Sequence, residues 1–290
     1  LMFLLSITGW VRRAMAAVPM PIVMGMVAGV FLRFGLDLVR SLHSDVAIAA
    51  PMVITWVFLS ACPGLGRRPP PMIGALLAGI GAALLAGRLD ANAFGAIQLI
   101  QPVFQAPAWS LAAAIELVIP LAITVLVVQN GQGIAVLRAV GHQPPVNAIT
   151  AACGIGAMLS ATVGSVCTCL TGPTNAIISS SGARERHYSA GIVTGLLALM
   201  FGLLAPTFTR FLLNAPQAFI MTLAGLAMLK ILQSAFVTCF QDRFTLGALI
   251  AFLVTVADLA LFNIGAAFWG LLAGLLVSAL LERDDFATRT

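Results

Sequence analysis

The chain has 290 residues, of which 60% are hydrophobic and only 9% are charged. Because a soluble domain is about half apolar and about a quarter charged, this composition excludes a soluble enzyme and predicts an all-α polytopic protein in a lipid bilayer. The formal net charge is +5, but the basic residues are scattered between apolar stretches, which argues against nucleic acid as a partner.

The apolar stretches predict the membrane spans, since a spanning helix needs about 20 mainly apolar residues. The predicted elements are a half-span at 1–9 and spans near 19–37, 46–62, 72–87, 108–129, 145–163, 188–208, 216–236, 245–262 and 264–281. Segment 164–182 is too polar and too rich in glycine for an ordinary span. Residues 88–107 form the longest stretch that we expect outside the bilayer.

The chain begins in an apolar run, and the basic pair Arg12 and Arg13 follows that run. A signal peptide would have the opposite order, with its basic residues first. We therefore expect that Leu1 lies inside a transmembrane helix and that the chain is a fragment of a longer protein.

Lysine and arginine predict the orientation, because they are enriched in cytoplasmic loops. We assume that the loop with Arg12 and Arg13 is cytoplasmic and that 164–182 crosses the membrane once. Of the fifteen lysine and arginine residues, only four then lie outside. These four are Arg33, Arg40, Arg88 and Arg210. The bias supports counting 164–182 as a true crossing.

An offset of 197 positions aligns scarce residues of the chain with one another. The aligned pairs include Arg13 with Arg210, Pro19 with Pro216, Leu32 with Leu229, Arg33 with Lys230, and Asp45 with Asp242. The tetrapeptide Leu-Leu-Ala-Gly at 76–79 also recurs at 271–274. Because the predicted orientation places Arg13 inside and Arg210 outside, the two copies are expected to be inverted.

An inverted repeat requires an odd number of spans in each copy. The second copy, counted from residue 108, has seven spans, and the first shows only its last four. The repeat therefore predicts a transporter with an inverted seven-helix repeat, of which about eleven spans are present and three precede Leu1.

Ligands of such transporters bind near the bilayer midplane at broken helices. Segments 128–133 and 164–175 combine polar side chains with glycine, which predicts two such breaks. The candidate binding residues are Gln129, Asn130 and Gly131 in the first segment, and Thr171, Gly172, Thr174 and Asn175 in the second. The helix is expected to restart at Gly172–Pro173, since proline suits a first turn. Its free N–H groups and dipole would suit a carboxylate.

The alternative is that these segments only pack helices together through small residues. We prefer packing for Gly154, Gly156 and Gly164. For the amides and hydroxyls we prefer function, because a polar side chain in lipid is costly without a partner.

Glu116 and Asp258 are the only carboxylates well inside the predicted spans. Either could couple transport to protons or could have a structural role. His142 and His187 are expected to be solvated in cytoplasmic loops. Cys167 and Cys169 lack neighbouring His or acidic residues, so packing is favoured over metal binding, and no metal or cofactor is predicted.

Several motifs, in order along nearly the whole chain, resemble the BenE benzoate:proton symporter family. They are Ile7-Thr-Gly9, Ala28-Gly29 with Leu32-Arg-Phe-Gly-Leu36, Gln129-Asn130 with Gly133-Ile-Ala-Val-Leu, Gly141-His-Gln-Pro-Pro-Val146, and Ala267-Phe-Trp-Gly-Leu-Leu-Ala-Gly274. The resemblance implies the fold of uracil permease and the anion exchangers, with fourteen spans in two inverted repeats, a core domain and a gate domain. It also implies a homodimer.

In that fold the substrate lies between the eighth span and two half-helices, the third and the tenth spans. The resemblance places Gln129 where nucleobase transporters carry a substrate-binding carboxylate, and segment 164–182 on the tenth span. Glu116 matches no known proton site of the family. The implied domains are a gate part at 1–87, an extramembrane connection at 88–107, core spans at 108–182, and a second gate part at 183–290.

The leading hypothesis is a bacterial inner-membrane, multi-pass symporter that carries benzoate or a related aromatic carboxylate together with protons. The alternatives are a nucleobase or inorganic-anion transporter of the same fold, and a transport-inactive fragment or channel-like relic. An enzyme is the least favoured class, because no nucleophile–base pair or metal set is visible.

Overall fold

The computed structural model describes residues 2–9, 18–62, 70–89, 96–106, 110–111, 118, 121–122, 124–180, 182–262 and 264–287. Within these residues every regular element is a helix, apart from one isolated bridge between Leu261 and Ile264. The expected all-α architecture is therefore confirmed.

Thirteen α-helices are described. They are α1 (Met2–Thr8), α2 (Met20–Ser44), α3 (Val46–Ala61), α4 (Pro71–Leu85), α5 (Asn130–Ala139), α6 (Val146–Ala161), α7 (Gly172–Ser179), α8 (His187–Leu203), α9 (Ala205–Asn214), α10 (Gln217–Phe240), α11 (Thr245–Val256), α12 (Ala266–Leu281) and α13 (Arg283–Ala287). A π-helix at Thr124–Gln129 runs directly into α5, and a short 3₁₀ helix at Arg184–Arg186 precedes α8.

Helices α2 and α10 are long and apolar enough to cross a membrane. Five shorter apolar helices accompany them, namely α3, α4, α6, α11 and α12. The large apolar side chains on α8 are mostly exposed, as expected for a surface in contact with lipid. The chain is therefore a helical membrane protein.

The predicted span at 188–208 is not a straight helix. Helix α8 ends at Leu203, α9 begins at Ala205, and the two segments are bent by 86°. Pro206 explains the break, since its ring would clash with the carbonyl group one turn earlier in a continuous helix. Proline is instead well placed in the first turn of α9.

The predicted span at 245–262 is also shorter than its apolar sequence, because α11 ends at Val256. Asp258 and Phe262 follow it with φ angles of 54° and 52°. These left-handed conformations do not continue a helix. Helices α11 and α12 are thus joined by a nine-residue segment, 257–265.

One compact unit contains residues 1–32, 102–187 and 231–290. Its helices approach closely at glycines: a Cβ on Gly270 would lie 2.6 Å from the Ala251 carbonyl oxygen, between α12 and α11. The N-terminal half of α2 also packs on α11, because a Cβ on Gly29 would lie 2.7 Å from Thr255 Cβ. Small residues thus permit close helix packing here, as is usual in membrane proteins.

The Glu282 side chain satisfies the start of α11 in this unit. Its carboxylate accepts hydrogen bonds from the backbone N–H groups of Leu246 and Gly247 at 2.8 and 3.0 Å, and from the Ser278 hydroxyl at 2.8 Å. The Phe244 N–H donates to Asp285 Oδ2 at 2.8 Å. Acidic groups at a helix N-terminus are favourable because its N–H groups lack intrahelical acceptors.

The second compact unit contains residues 33–101 and 188–230. Its core joins the C-terminal half of α2 with α3, α4 and the N-terminal half of α10. The buried residues are Leu38, Ile48, Met52, Ala75, Ala83, Leu89, Phe219 and Leu226. An ion pair between Arg88 and Asp45, 2.5 Å apart, closes the end of α4 against the start of α3. The backbone of Gln98 and Ile100 is held by Thr207 Oγ1 and the Leu203 carbonyl, both at 2.9 Å.

The two units contain equivalent contacts. In the first, a Cβ on Gly274 would lie 2.8 Å from Ile22 Cγ2, and in the second, a Cβ on Gly79 would lie 2.7 Å from Phe219 Cδ2. Ile22 and Phe219 are 197 positions apart, and the two glycines end the repeated Leu-Leu-Ala-Gly segments. Helices α2 and α10 also begin 197 positions apart, at Met20 and Gln217.

Candidate functional site

The first predicted break, at 128–133, is a change of helix type rather than a loop. The π-helix ends at Gln129 and α5 begins at Asn130. Helix α5 then continues through Gly131 and Gly133. π-Helical turns are rare and occur frequently at functional sites. The first turns of α5 are buried, and Asn130 is 0% exposed. A polar amide is thereby placed in the interior of the unit.

The second predicted break, at 164–175, is a true interruption. Residues 165–171 have no helical structure, and α7 begins at Gly172 with Pro173 in its first turn. The helix start is therefore where the sequence predicted it. The Thr171 hydroxyl donates to the Thr174 hydroxyl at 2.8 Å, and Asn175 Nδ2 donates to the Thr171 carbonyl at 2.7 Å. These bonds order the entry to α7.

Asn130 joins the two breaks. Its Oδ1 accepts a hydrogen bond of 2.8 Å from the backbone N–H of Leu170, in the non-helical segment. The Cys153 thiol lies 3.8 Å from the same oxygen, and the Thr168 hydroxyl donates to the Cys153 carbonyl at 3.0 Å. Asn130 Nδ2 is buried and has no hydrogen-bond partner among the described residues. We call the contact between Asn130 and Leu170 the Asn130 junction.

Glycines bring the backbones together at this junction. A Cβ on Gly133 would lie 2.5 Å from the Leu170 carbonyl oxygen, and one on Gly172 would lie 2.9 Å from Gln132 Cβ. Gly156 similarly faces Thr168, and Gly154 faces Phe3. The predicted packing role of Gly154 and Gly156 therefore agrees with their contacts.

Gly164 has a conformational role as well. Its φ of +65° is left-handed, and a Cβ there would lie 2.6 Å from Gln105 Oε1. A residue with a side chain would be strained in this turn. The turn directs the chain from α6 into the non-helical segment.

The other predicted site residues are distributed as follows. Gln129 is half-buried beside Asn130, and Gly131 lines a cavity on another face of α5. Thr174 is exposed, whereas Gly172 is buried. Glu116 lies outside the described residues. Asp258 is exposed beyond the end of α11, and thus not well inside a helix as the sequence suggested.

Two features were missed by sequence reasoning. Gln132 is buried against Gly172, at the junction itself. The expectation of solvated histidines was wrong for His187, which is only 9% exposed. Its Nδ1 lies 3.0 Å from His142 Nε2. The turn at Gly141 and the 3₁₀ helix at Arg184–Arg186 bring these rings together, and no local pattern links positions so far apart in the chain.

The chain is similar to known membrane proteins over nearly its whole length. A model of the benzoate membrane transport protein family, BenE, matches residues 1–280. The inner membrane protein YdcO of Escherichia coli (strain K12) is 30% identical over 294 residues, which cover 99% of this chain and 74% of the relative. The benzoate membrane transport protein of Acinetobacter baylyi (strain ATCC 33305 / BD413 / ADP1) is 29% identical over 286 residues, or 96% of this chain and 71% of the relative.

No solved structure matches the chain. The family model nevertheless covers nearly all of the chain, and it describes membrane transport proteins rather than enzymes. The resemblance seen in the sequence motifs is confirmed by this match. The chain is a membrane transporter of the benzoate type and belongs to the BenE family of benzoate membrane transport proteins.

Proposed function

We propose that this protein is a symporter that carries benzoate, or a related aromatic carboxylate, together with protons across the bacterial inner membrane. Family membership supports the substrate class. The observation that carries the proposal is the Asn130 junction, where the amide at the change from π-helix to α5 accepts a 2.8 Å hydrogen bond from the non-helical segment before α7. Broken helices are where transporters of this kind bind substrate.

The proposed binding site contains Gln129, Asn130 and Gly131 on one side and Thr171, Gly172, Thr174 and Asn175 on the other. The first turn of α7 has backbone N–H groups without intrahelical acceptors, which suit a carboxylate. Gln129 adds an uncharged amide, so it does not repel an anion. A carboxylate at this position would repel benzoate.

The proposed architecture is an inverted repeat of seven spans, with about eleven of fourteen spans in this chain. The equal offset of α2 and α10 supports a repeat, as do the matching glycine contacts of Ile22 and Phe219. The division into gate parts at 1–87 and 183–290 and core spans at 108–182 is part of the same proposal.

Proton coupling requires that the proton and the anion each bind better when the other is present. Glu116 and Asp258 are the proposed carboxylates for this role. If coupling exists, benzoate uptake into vesicles should increase when an inward proton gradient is imposed. Uptake that is independent of the proton gradient would indicate a uniporter instead of a symporter.

The site is tested by Gln129→Ala and Gln129→Glu. The first should abolish uptake of labelled benzoate because a polar contact is lost, and the second should do so by repulsion, while both proteins remain in the membrane. Gln233→Ala is the control, because Gln233 is an exposed amide on α10. Unchanged uptake in the Gln129 variants would reject the proposed binding site. A separate competition experiment tests the substrate class: inhibition of benzoate uptake by uracil or sulfate would indicate a different class.

A further inference from the structure

A cavity of about 440 Å³ lies along another face of α5, away from the Leu170 contact. It falls within the size range of small-molecule sites, which is about 300–1,000 Å³. The residues used in the argument are Val23, Gly131, Ile134, Arg138, Thr238 and Leu271. They come from α2, α5, α10 and α12 within one compact unit.

The lining is mostly apolar, and its polar side chains are those of Arg138 and Thr238. Thr238 donates its hydroxyl hydrogen to the Ser234 carbonyl at 2.9 Å, so it has no hydrogen to offer a ligand. Arg138, in the last turn of α5, is exposed. Among the described residues its guanidinium has no carboxylate partner, whereas Arg40 and Arg88 are each paired with an aspartate.

This combination fits one class of small molecule. Apolar walls at Val23, Ile134 and Leu271 suit an aromatic ring, and a guanidinium binds a carboxylate through two parallel hydrogen bonds. Ligand sites are usually largely apolar cavities that contain a few polar groups. An aromatic carboxylate satisfies both parts of the lining.

The cavity also adjoins the candidate site. Gly131 lines it, and the preceding residue, Asn130, makes the hydrogen bond to Leu170. The distribution of lysine and arginine places Arg138 on the cytoplasmic side. The cavity thus leads along α5 from the Asn130 junction toward that side.

We propose that this cavity is a second, cytoplasmic site for the aromatic carboxylate, in which Arg138 binds the carboxylate group. The inference rests on the proposed function, because it concerns the same substrate. It adds a residue and a location that the junction does not contain. Benzoate would occupy this site between the junction and the cytoplasm.

The test compares the two faces of the membrane. Inside-out vesicles expose the cytoplasmic face, and intact cells expose the periplasmic face. In Arg138→Gln the half-saturating benzoate concentration should rise about tenfold or more in the vesicles, because a neutral amide replaces the charge-assisted hydrogen bonds of the guanidinium only weakly. In intact cells the half-saturating benzoate concentration of this variant should change by less than about threefold.

Arg138→Lys should have a smaller effect in the vesicles, since it keeps the charge but not the paired geometry. Arg184→Gln is the matched control: Arg184 is also expected on the cytoplasmic side but does not line the cavity, and its kinetics should not change. No shift in Arg138→Gln, an equal shift at both faces, or a shift only in intact cells would overturn the inference. A wild-type protein that carries no benzoate at either face would overturn the proposed function itself.

Discussion

The Asn130 side chain shows how one buried amide can set the geometry of a site. Its oxygen accepts from Leu170, while its Nδ2 has no partner in the part of the chain that the structure describes. A buried donor without an acceptor costs free energy. Such a group is tolerated where another molecule supplies the missing acceptor, and a substrate carboxylate has acceptor oxygens.

Asn130→Ala should therefore destabilise the protein by about 1–3 kcal/mol, because the partly buried Leu170 N–H loses its acceptor. The measurement is thermal unfolding of the purified protein in detergent. Asn214→Ala is the control, since Asn214 also bonds to backbone, at 2.8 Å from the Arg210 carbonyl, but is exposed. In Asn214→Ala, water replaces the lost hydrogen bond, so this variant should lose less stability than Asn130→Ala. Equal losses in the two variants would contradict this account.

At the level of elements, the junction depends on how closely α5 approaches residues 165–171. Gly133 permits this approach, because a Cβ there would meet the Leu170 carbonyl oxygen at 2.5 Å. The obstacle is backbone, which cannot rotate away as a side chain can. The non-helical segment would have to move as a whole.

Gly133→Ala should accordingly reduce benzoate uptake strongly and lower the unfolding temperature. Gly195→Ala is the matched control, since nothing lies within 4 Å of a Cβ at that position of α8. It should be neutral or stabilising by up to about 1 kcal/mol, because alanine is the better helix former. The idea fails if both variants transport and unfold like the wild type.

The local signals in the sequence predicted some of these elements and not others. The start of α7 at Gly172 follows from the Gly-Pro pair, which acts within a single turn. Hydropathy did not reveal the end of α11, since an apolar residue such as Phe262 reads the same in a helix and in a left-handed turn. The bond from Asn130 to Leu170 links positions forty residues apart, and a pairing at that distance depends on tertiary packing.

For the whole molecule, the repeat makes a prediction about sidedness. Ser44 ends α2, and the same offset of 197 aligns it with Gln241, just after α10. If the copies are inverted, these positions lie on opposite sides of the membrane. Ser44 is expected outside and Gln241 inside.

Single cysteines at these two positions test the inversion. In a background without the five native cysteines, Ser44→Cys should react with an impermeant maleimide added to intact cells, whereas Gln241→Cys should react only in inside-out vesicles. Labelling of both residues from the same face would exclude an inverted repeat. The matching contacts of Gly79 and Gly274 would then reflect a parallel duplication.

The carboxylate of Glu282 also has a consequence for the order of biogenesis. It accepts the first amides of α11 although it follows that helix by a complete α12. Helix α11 is synthesised before α12 and Glu282, so its N-terminal amides lack these carboxylate acceptors until residue 282 has been added. We expect the α11–α12 pair to assemble only after residues 282–285 emerge, which makes its docking a late step of membrane insertion.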